Sequence, residues 1–216
     1  MSAARNLPLR RALTMIAVLY AVAILGPSLS PYDPLATTQA LTLPPSLAHP
    51  FGTDEIGRDL FARVLVGARI SLLLALVVTL VSLAIGTAVG AIAGYAGGIV
   101  DAVLMRIVDA GLAIPRVFFV LVPLALWEQT SLLSLVAALG FTGWFDLSRI
   151  VRAQVLSLNG RPFVSAARAS GAGGGRIIWR HLLPNAAGPI FVAATLGVAQ
   201  VILIEAGLSY LGLGVP

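Results

Sequence analysis

Residues 70–95 read ISLLLALVVTLVSLAIGTAVGAIAGY, a run without one charged side chain. At ~1.5 Å per residue, a helix over this run crosses a ~30 Å hydrocarbon core with length to spare. Inside it Gly86, Gly90 and Gly94 recur every fourth residue, on one helical face. Such a ridge of small residues predicts close packing against a second helix, because lipid supplies little driving force for association. The whole chain agrees with a lipid solvent. Of its 216 residues 58% are hydrophobic and 11% charged, whereas soluble domains keep about a quarter charged.

Outward from this run, an apolar stretch from Ala12 to Leu29 follows Arg5, Arg10 and Arg11. It reads as an uncleaved anchor rather than a signal peptide, since Gly26-Pro27-Ser28-Leu29-Ser30 offers no clear small-residue cleavage site. Residues 30–69 are polar and carry Pro31, Pro34, Pro44, Pro45 and Pro50. Near their end Ile56, Leu60 and Val64 fall four apart, predicting a short amphipathic helix that leads into the long run. His49, alone before Pro50, reads as loop.

On the other side, Asp101–Trp127 mixes Asp101, Arg106, Asp109 and Arg116 with apolar residues and is interrupted by Pro115. Arg106 and Asp109 are spaced as an i, i+3 pair. Because ionised groups at mid-bilayer are costly, the span is placed at Ile107–Leu126. A fourth span covers Leu132–Phe145, with Ile150 as its furthest limit. A hydrophilic segment, Ser148–Asn185, follows. The last span, Ala187–Leu208, holds one acid, Glu205. That acid is either functional or a hydrogen-bonded structural group near the outer interface. The expected fold is an all-α polytopic membrane protein with about five transmembrane helices. Residues 1–68 form an N-terminal region, and residues 69–216 form the main transmembrane domain.

Composition removes several activities. There is no cysteine, and all 14 basic residues are arginine, so thiol chemistry, a P-loop lysine and Schiff-base chemistry are absent. No H-E-x-x-H, G-x-S-x-G or paired-carboxylate pattern occurs, so no catalytic residue, metal or cofactor is expected in the chain. The net charge of +5 lies in short segments between apolar runs. It therefore reads as a topology signal and not as a nucleic-acid surface. Arg5, Arg10 and Arg11, and the six arginines of segment 148–185, stand without acids, whereas segment 30–69 sets three arginines against four acids. The positive-inside rule makes the first two segments cytoplasmic and the third extracytoplasmic.

Within segment 148–185, Asn159-Gly160-Arg161-Pro162-Phe163-Val164-Ser165-Ala166-Ala167-Arg168-Ala169-Ser170-Gly171 predicts a short helix, Pro162–Ser170. Proline suits a first helical turn and glycine the position just past an end. Phe163, Ala166, Ala167 and Ser170 share one face. Gly173-Gly174-Gly175 then breaks the chain before a second helical stretch, Arg176–Leu183, which Pro184 stops. A short helix held between two spans can act as a lever worked by a partner. The alternative is a basic loop whose arginines touch anionic lipid. His181 reads as part of that surface or as a capping group, with a proton switch as the rival reading.

Ser165-Ala166-Ala167-Arg168-Ala169-Ser170-Gly171, followed by Arg176-Ile177-Ile178-Trp179-Arg180-His181-Leu182-Leu183-Pro184-Asn185, resembles the E-A-A loop of binding-protein-dependent ABC importer permeases. Three further segments are similar to the dipeptide/oligopeptide and nickel branch. They are His49-Pro50-Phe51-Gly52-Thr53-Asp54-Glu55-Ile56-Gly57-Arg58-Asp59, Gly67-Ala68-Arg69-Ile70-Ser71-Leu72, and Glu205-Ala206-Gly207-Leu208-Ser209-Tyr210-Leu211-Gly212-Leu213-Gly214.

The resemblance implies a type I ABC importer permease fold in the bacterial inner membrane. The family's sixth span is missing, which reads as a C-terminal truncation. It implies a non-catalytic subunit that pairs with a second permease subunit as a heterodimer, two ATP-binding subunits and an extracytoplasmic solute-binding protein. It makes Phe163, Ser165, Ala166, Ala167, Arg168, Ser170, Gly171, Arg176, His181 and Pro184 the ATPase-coupling residues. Gly52, Thr53, Asp54, Gly57, Arg58 and Asp59 become the extracytoplasmic motif. Two positions depart from the family: Ser165 stands where its glutamate would, and Gly173–Gly175 replace residues of a more regular turn. Rival readings are an ion-coupled secondary transporter and a structural membrane protein without a transport role.

Overall fold

A computed structural model describes residues 7–126 and 131–213; Arg5, Trp127 and Gly214, the last residue of the third motif, lie outside them. The described residues are helical apart from turns and one isolated bridge, Thr53 to Asp59. In order the helices are α1 (Leu7–Leu29), α2 (Leu60–Ala96), α3 (Gly98–Ala113), α4 (Arg116–Leu126), α5 (Leu132–Asn159), α6 (Pro162–Ala169), α7 (Gly174–Ile177) and α8 (Leu183–Tyr210). A π-helical turn, Ile178–Leu182, joins α7 to α8. Among the described residues three stretches are each long and apolar enough to cross a membrane: Arg10–Leu29, Leu60–Ala96 and Gly174–Tyr210. α5 is longer than a membrane core needs but carries Asp146, Arg149 and Arg152. α3 and α4 run in tandem, separated by Ile114-Pro115. Proline disfavours helical geometry in the residue before it, and Ile114 is extended at ψ 126°.

The chain divides into two compact units, residues 1–73 and 74–216. In the first, α1 lays Gly26 against Leu65, where an added Cβ would come within 2.8 Å of the leucine side chain. The segment before α2 is a knot of turns, and this corrects the expected amphipathic helix. Gly57 has φ +77°, which a helix cannot accommodate, and the helix starts only at Leu60. The Ile56–Leu60–Val64 spacing thus straddles a turn and a helix start. Asp59 accepts a hydrogen bond from the Ala62 N–H at 2.7 Å, satisfying an orphan donor of the first turn. Its other carboxylate oxygen lies 2.8 Å from His49 Nδ1. His49 is therefore no free loop residue, and Tyr32 stacks on its ring.

The second unit is organised by α5. Added Cβ atoms on Gly86 and Gly94 would stand 3.0 Å from Leu147 Cβ and 2.9 Å from Val155 Cβ. One on Gly90 would collide with the Ser148 carbonyl oxygen. The ridge of α2 therefore lies directly on α5, backbone against backbone. On another side Gly111 of α3 receives the Phe145 ring, beside buried Val108 and Trp144. Asp109 bonds Arg149, and Asp101 bonds Arg152 through both carboxylate oxygens. Asp109 thus turns to α5 rather than to Arg106. These pairs also explain why α5 continues to Asn159 instead of ending near Asp146: the charges on its second half are neutralised by α3. One apolar cluster gathers Leu74, Val78, Val120, Leu135, Leu139, Val201 and Leu208. A second gathers Val151, Val155, Val164, Ile177, Leu182 and Ala186 at the far end of α5.

Pro184 does not stop the last helix. It sits in the first turn of α8, and the preceding π-turn widens the backbone, with the Leu183 N–H donating to the Ile178 carbonyl. A proline ring clashes with the carbonyl four residues earlier, and a wide turn relieves that clash. Gly174–Tyr210 is consequently one continuous helical rod, basic in its first turns and apolar beyond them.

Candidate functional site

The end of α5 leads through Gly160 into α6, which starts with Pro162 at its first turn. The helix closes with paired bonds, Ala172 N–H to Ala167 O at 3.1 Å and Gly171 N–H to Arg168 O at 2.9 Å, with Gly171 at φ +80°. This is a Schellman closure, which a glycine makes without steric cost. One side of α6 is anchored: Val164 is fully buried and Ala167 half-buried in the cluster with Val155, Ile177 and Leu182. The other side is open: Phe163, Ser165, Ala166 and Ser170 are all exposed. Of the face grouped from the sequence, only Ala167 turns inward.

Arg168 is exposed, but its head group turns back onto α2 and α5. Its guanidinium lies 5.4 Å from the Tyr95 ring centroid, and its Nη2 donates to Asn159 Oδ1 at 2.5 Å. Tyr95, in the last turn of α2, is the socket for the whole loop. Arg168 covers its ring, Gly174 abuts the ring edge, and Asn159 Nδ2 donates to its carbonyl at 3.5 Å. α6 is thereby fastened to the ends of α2 and α5 and to the start of the last rod. Neither Tyr95 nor Asn159 is marked by the sequence, since nothing local distinguishes an aromatic that ends a span. Arg176 and Pro184 are exposed and His181 is half-buried. The His181 carbonyl accepts from Asn185 Nδ2 at 2.7 Å.

In the first unit the Gly52–Asp59 motif forms one hydrogen-bonded cage. Asp54 accepts from Arg58 Nε and from Arg63 Nη1, both at 2.7 Å, and from the backbone N–H groups of Ile56 and Arg58. Burial raises the Asp54 pKa, but the Arg58 and Ile56 hydrogen bonds and the Arg58 charge outweigh it and hold the carboxyl at about 2. Thr53 Oγ1 accepts from the Leu43 N–H and donates to the Ala40 carbonyl. Gly52 and Gly57 both have positive φ, and a Cβ on either would strike a backbone oxygen, of Leu43 and Thr38 respectively. Glu205 is buried in α8, accepting from Ser209 Oγ at 2.9 Å.

A cavity of about 360 Å³ opens between α2, α5 and α8, and Arg116 of α4 reaches it. Thr79, Ser82, Asp146 and Gln200 complete its polar lining.

A family model described as "Binding-protein-dependent transport system inner membrane component" matches residues 86–216. The chain belongs to that family. It is 42% identical over 206 residues to the oligopeptide transport system permease protein OppC of Bacillus subtilis, covering 94% of this chain and 67% of that protein. It is 44% identical over 211 residues to the Escherichia coli K12 OppC, covering 95% and 70%. It is also 42% identical over 206 residues to the Bacillus subtilis dipeptide transport system permease protein DppC, covering 94% and 63%. The chain thus spans roughly two thirds of the length of these relatives.

Proposed function

We propose that this chain is an inner-membrane permease subunit of an ATP-driven, binding-protein-dependent importer of di- and oligopeptides. One observation carries the reading. α6 opens on Pro162 and closes in a Schellman turn at Gly171, is clamped to the ends of three long helices, and leaves Phe163, Ser165, Ala166 and Ser170 facing outward. A force applied to that face is transmitted to α2, α5 and α8 together. The similarity to the oligopeptide and dipeptide permeases supports the choice of substrate class.

In this reading two cytoplasmic ATPase subunits dock on α6, with Arg176 and His181 at the margin of the contact. A second permease subunit completes the path as a heterodimer, and a solute-binding protein meets the Gly52–Asp59 cage outside. The N-terminus is cytoplasmic, and the chain itself performs no hydrolysis. Ser165 contributes a small neutral contact where the family's acid would stand. The exposed apolar Phe163 then anchors the docking.

The test is co-purification and uptake with the assembled complex. Ala166→Asp, on the open face, is expected to abolish peptide uptake and ATPase recovery while leaving the permease in the membrane. Unchanged uptake and recovery in Ala166→Asp would overturn the docking assignment.

A further inference from the structure

The cavity between α2, α5 and α8 brings opposite charges to one space between apolar helices. Arg116 projects from the first turn of α4 and Asp146 from the middle of α5, with Gln200 from α8 and Thr79 and Ser82 from α2. Gly143 makes the approach possible: a Cβ there would stand 3.1 Å from Arg116 Nη2 and would strike Ser82 Oγ. Opposite charges placed together in a membrane protein ordinarily form an ion pair, because each is costly to insert alone. Among the described residues no hydrogen bond or ion pair joins Arg116 to Asp146. Arg116 Nη1 instead reaches Gln200 Oε1 at 3.5 Å. Among the described residues Arg116 Nε and Thr79 Oγ1 are buried and find no hydrogen-bond partner. Buried donors of this kind are costly unless something in the cavity completes them.

We propose that this cavity is a transit subsite for the charged ends of a peptide. Arg116, oriented by Gln200, takes the free C-terminal carboxylate, and Asp146 takes the α-ammonium of a short peptide. The chemistry selects this ligand. A planar guanidinium binds carboxylate through two parallel N–H bonds. A zwitterion presents an anion to the cation and a cation to the anion that line this one space. The volume lies within the roughly 300–1,000 Å³ of ligand pockets and near its lower end. It therefore suits a short peptide or the end of a longer one. The inference rests on the permease reading above and adds the residues that hold the substrate.

The experiment uses the full-length permease reconstituted with its partner subunit, ATPases and binding protein in proteoliposomes. Uptake of one tripeptide is compared with that of its C-terminal amide and its N-acetyl form, each divided by the wild-type value for the same ligand. That division removes preferences of the binding protein. Arg116→Gln is expected to lower uptake of the free-carboxylate peptide by about tenfold more than uptake of the amide. Arg116→Lys keeps part of the difference. Asp146→Asn is expected to penalise the free-amine peptide against its N-acetyl form. Equal losses for all three ligands, or no loss, overturn the subsite. If Arg116→Gln fails to assemble, Arg116→Lys and Asp146→Asn decide by the same ratios. A wild-type complex that moves no peptide and shows no binding-protein-stimulated ATP hydrolysis sinks the permease reading and the subsite with it. A complex that transports but whose variants do not discriminate sinks the subsite alone.

Discussion

Gly90 shows how much one hydrogen atom can specify. With no side chain, its Cα lies against the Ser148 carbonyl and Val151, so α2 and α5 meet at backbone distance. A methyl group there strikes a backbone oxygen, which cannot rotate away as a side chain would. Gly90→Ala is expected to destabilise the folded chain by about 1–3 kcal/mol, the usual range for overpacking. Gly188→Ala, in α8 with nothing near its Cβ position, serves as the control. It is expected to be neutral or to stabilise by roughly 0.5–1 kcal/mol, since alanine restricts the unfolded chain. Thermal unfolding of both variants in detergent measures the difference, and equal midpoints would remove the ridge from the account of packing. The four-residue period made these glycines readable in advance. Arg168 was readable only as a positive charge. That it grips Tyr95 and Asn159 depends on atoms that are distant in sequence.

At the scale of elements, the turns before α2 and the short helix α6 make a contrast. α6 was legible because its limits are local: Pro162 opens it and Gly171 closes it. The Ile56–Leu60–Val64 spacing misleads because it crosses a positive-φ glycine, and Gly57 is the local warning. The turn instead depends on ionised Asp54. Its folded pKa is lowered, from an ordinary 3.8 to about 2. The linked stability is therefore fully present above about pH 5 and fades as pH falls from about 4 toward 2. Hydrogen exchange of the Ile56 and Arg58 amides, compared between wild type and Asp54→Asn, reads this directly. The wild type is expected to be the more protected at neutral pH, with the two converging near pH 2. A constant gap across that range would show that the carboxylate charge is not what orders the turn.

For the whole molecule, the decisive property is which segments face which side of the membrane. The chain has no cysteine, so single introduced thiols report topology without background. Leu47→Cys, in the fully exposed part of the loop before α2, is expected to react with an impermeant maleimide added to intact spheroplasts. Ser170→Cys, exposed at the end of α6, is expected to react only after the membrane is opened. The reverse pattern would invert the orientation and remove the ATPases from reach of α6.

What the sequence determined by itself follows from short-range and solvent physics. Apolar runs longer than a bilayer is thick mark the candidate spans, arginines without acids give the expected sides, and proline and glycine bound α6. Family membership was legible too, because its motifs are contiguous. Only the tertiary structure decided that α5 runs on to Asn159, since Arg149 and Arg152 find Asp109 and Asp101 on a helix 40 and 51 residues away in sequence. It also decided that Pro184 is absorbed by a π-turn and that Arg116 and Asp146 line one cavity. Those outcomes depend on which side chains meet across helices, and no local pattern encodes that.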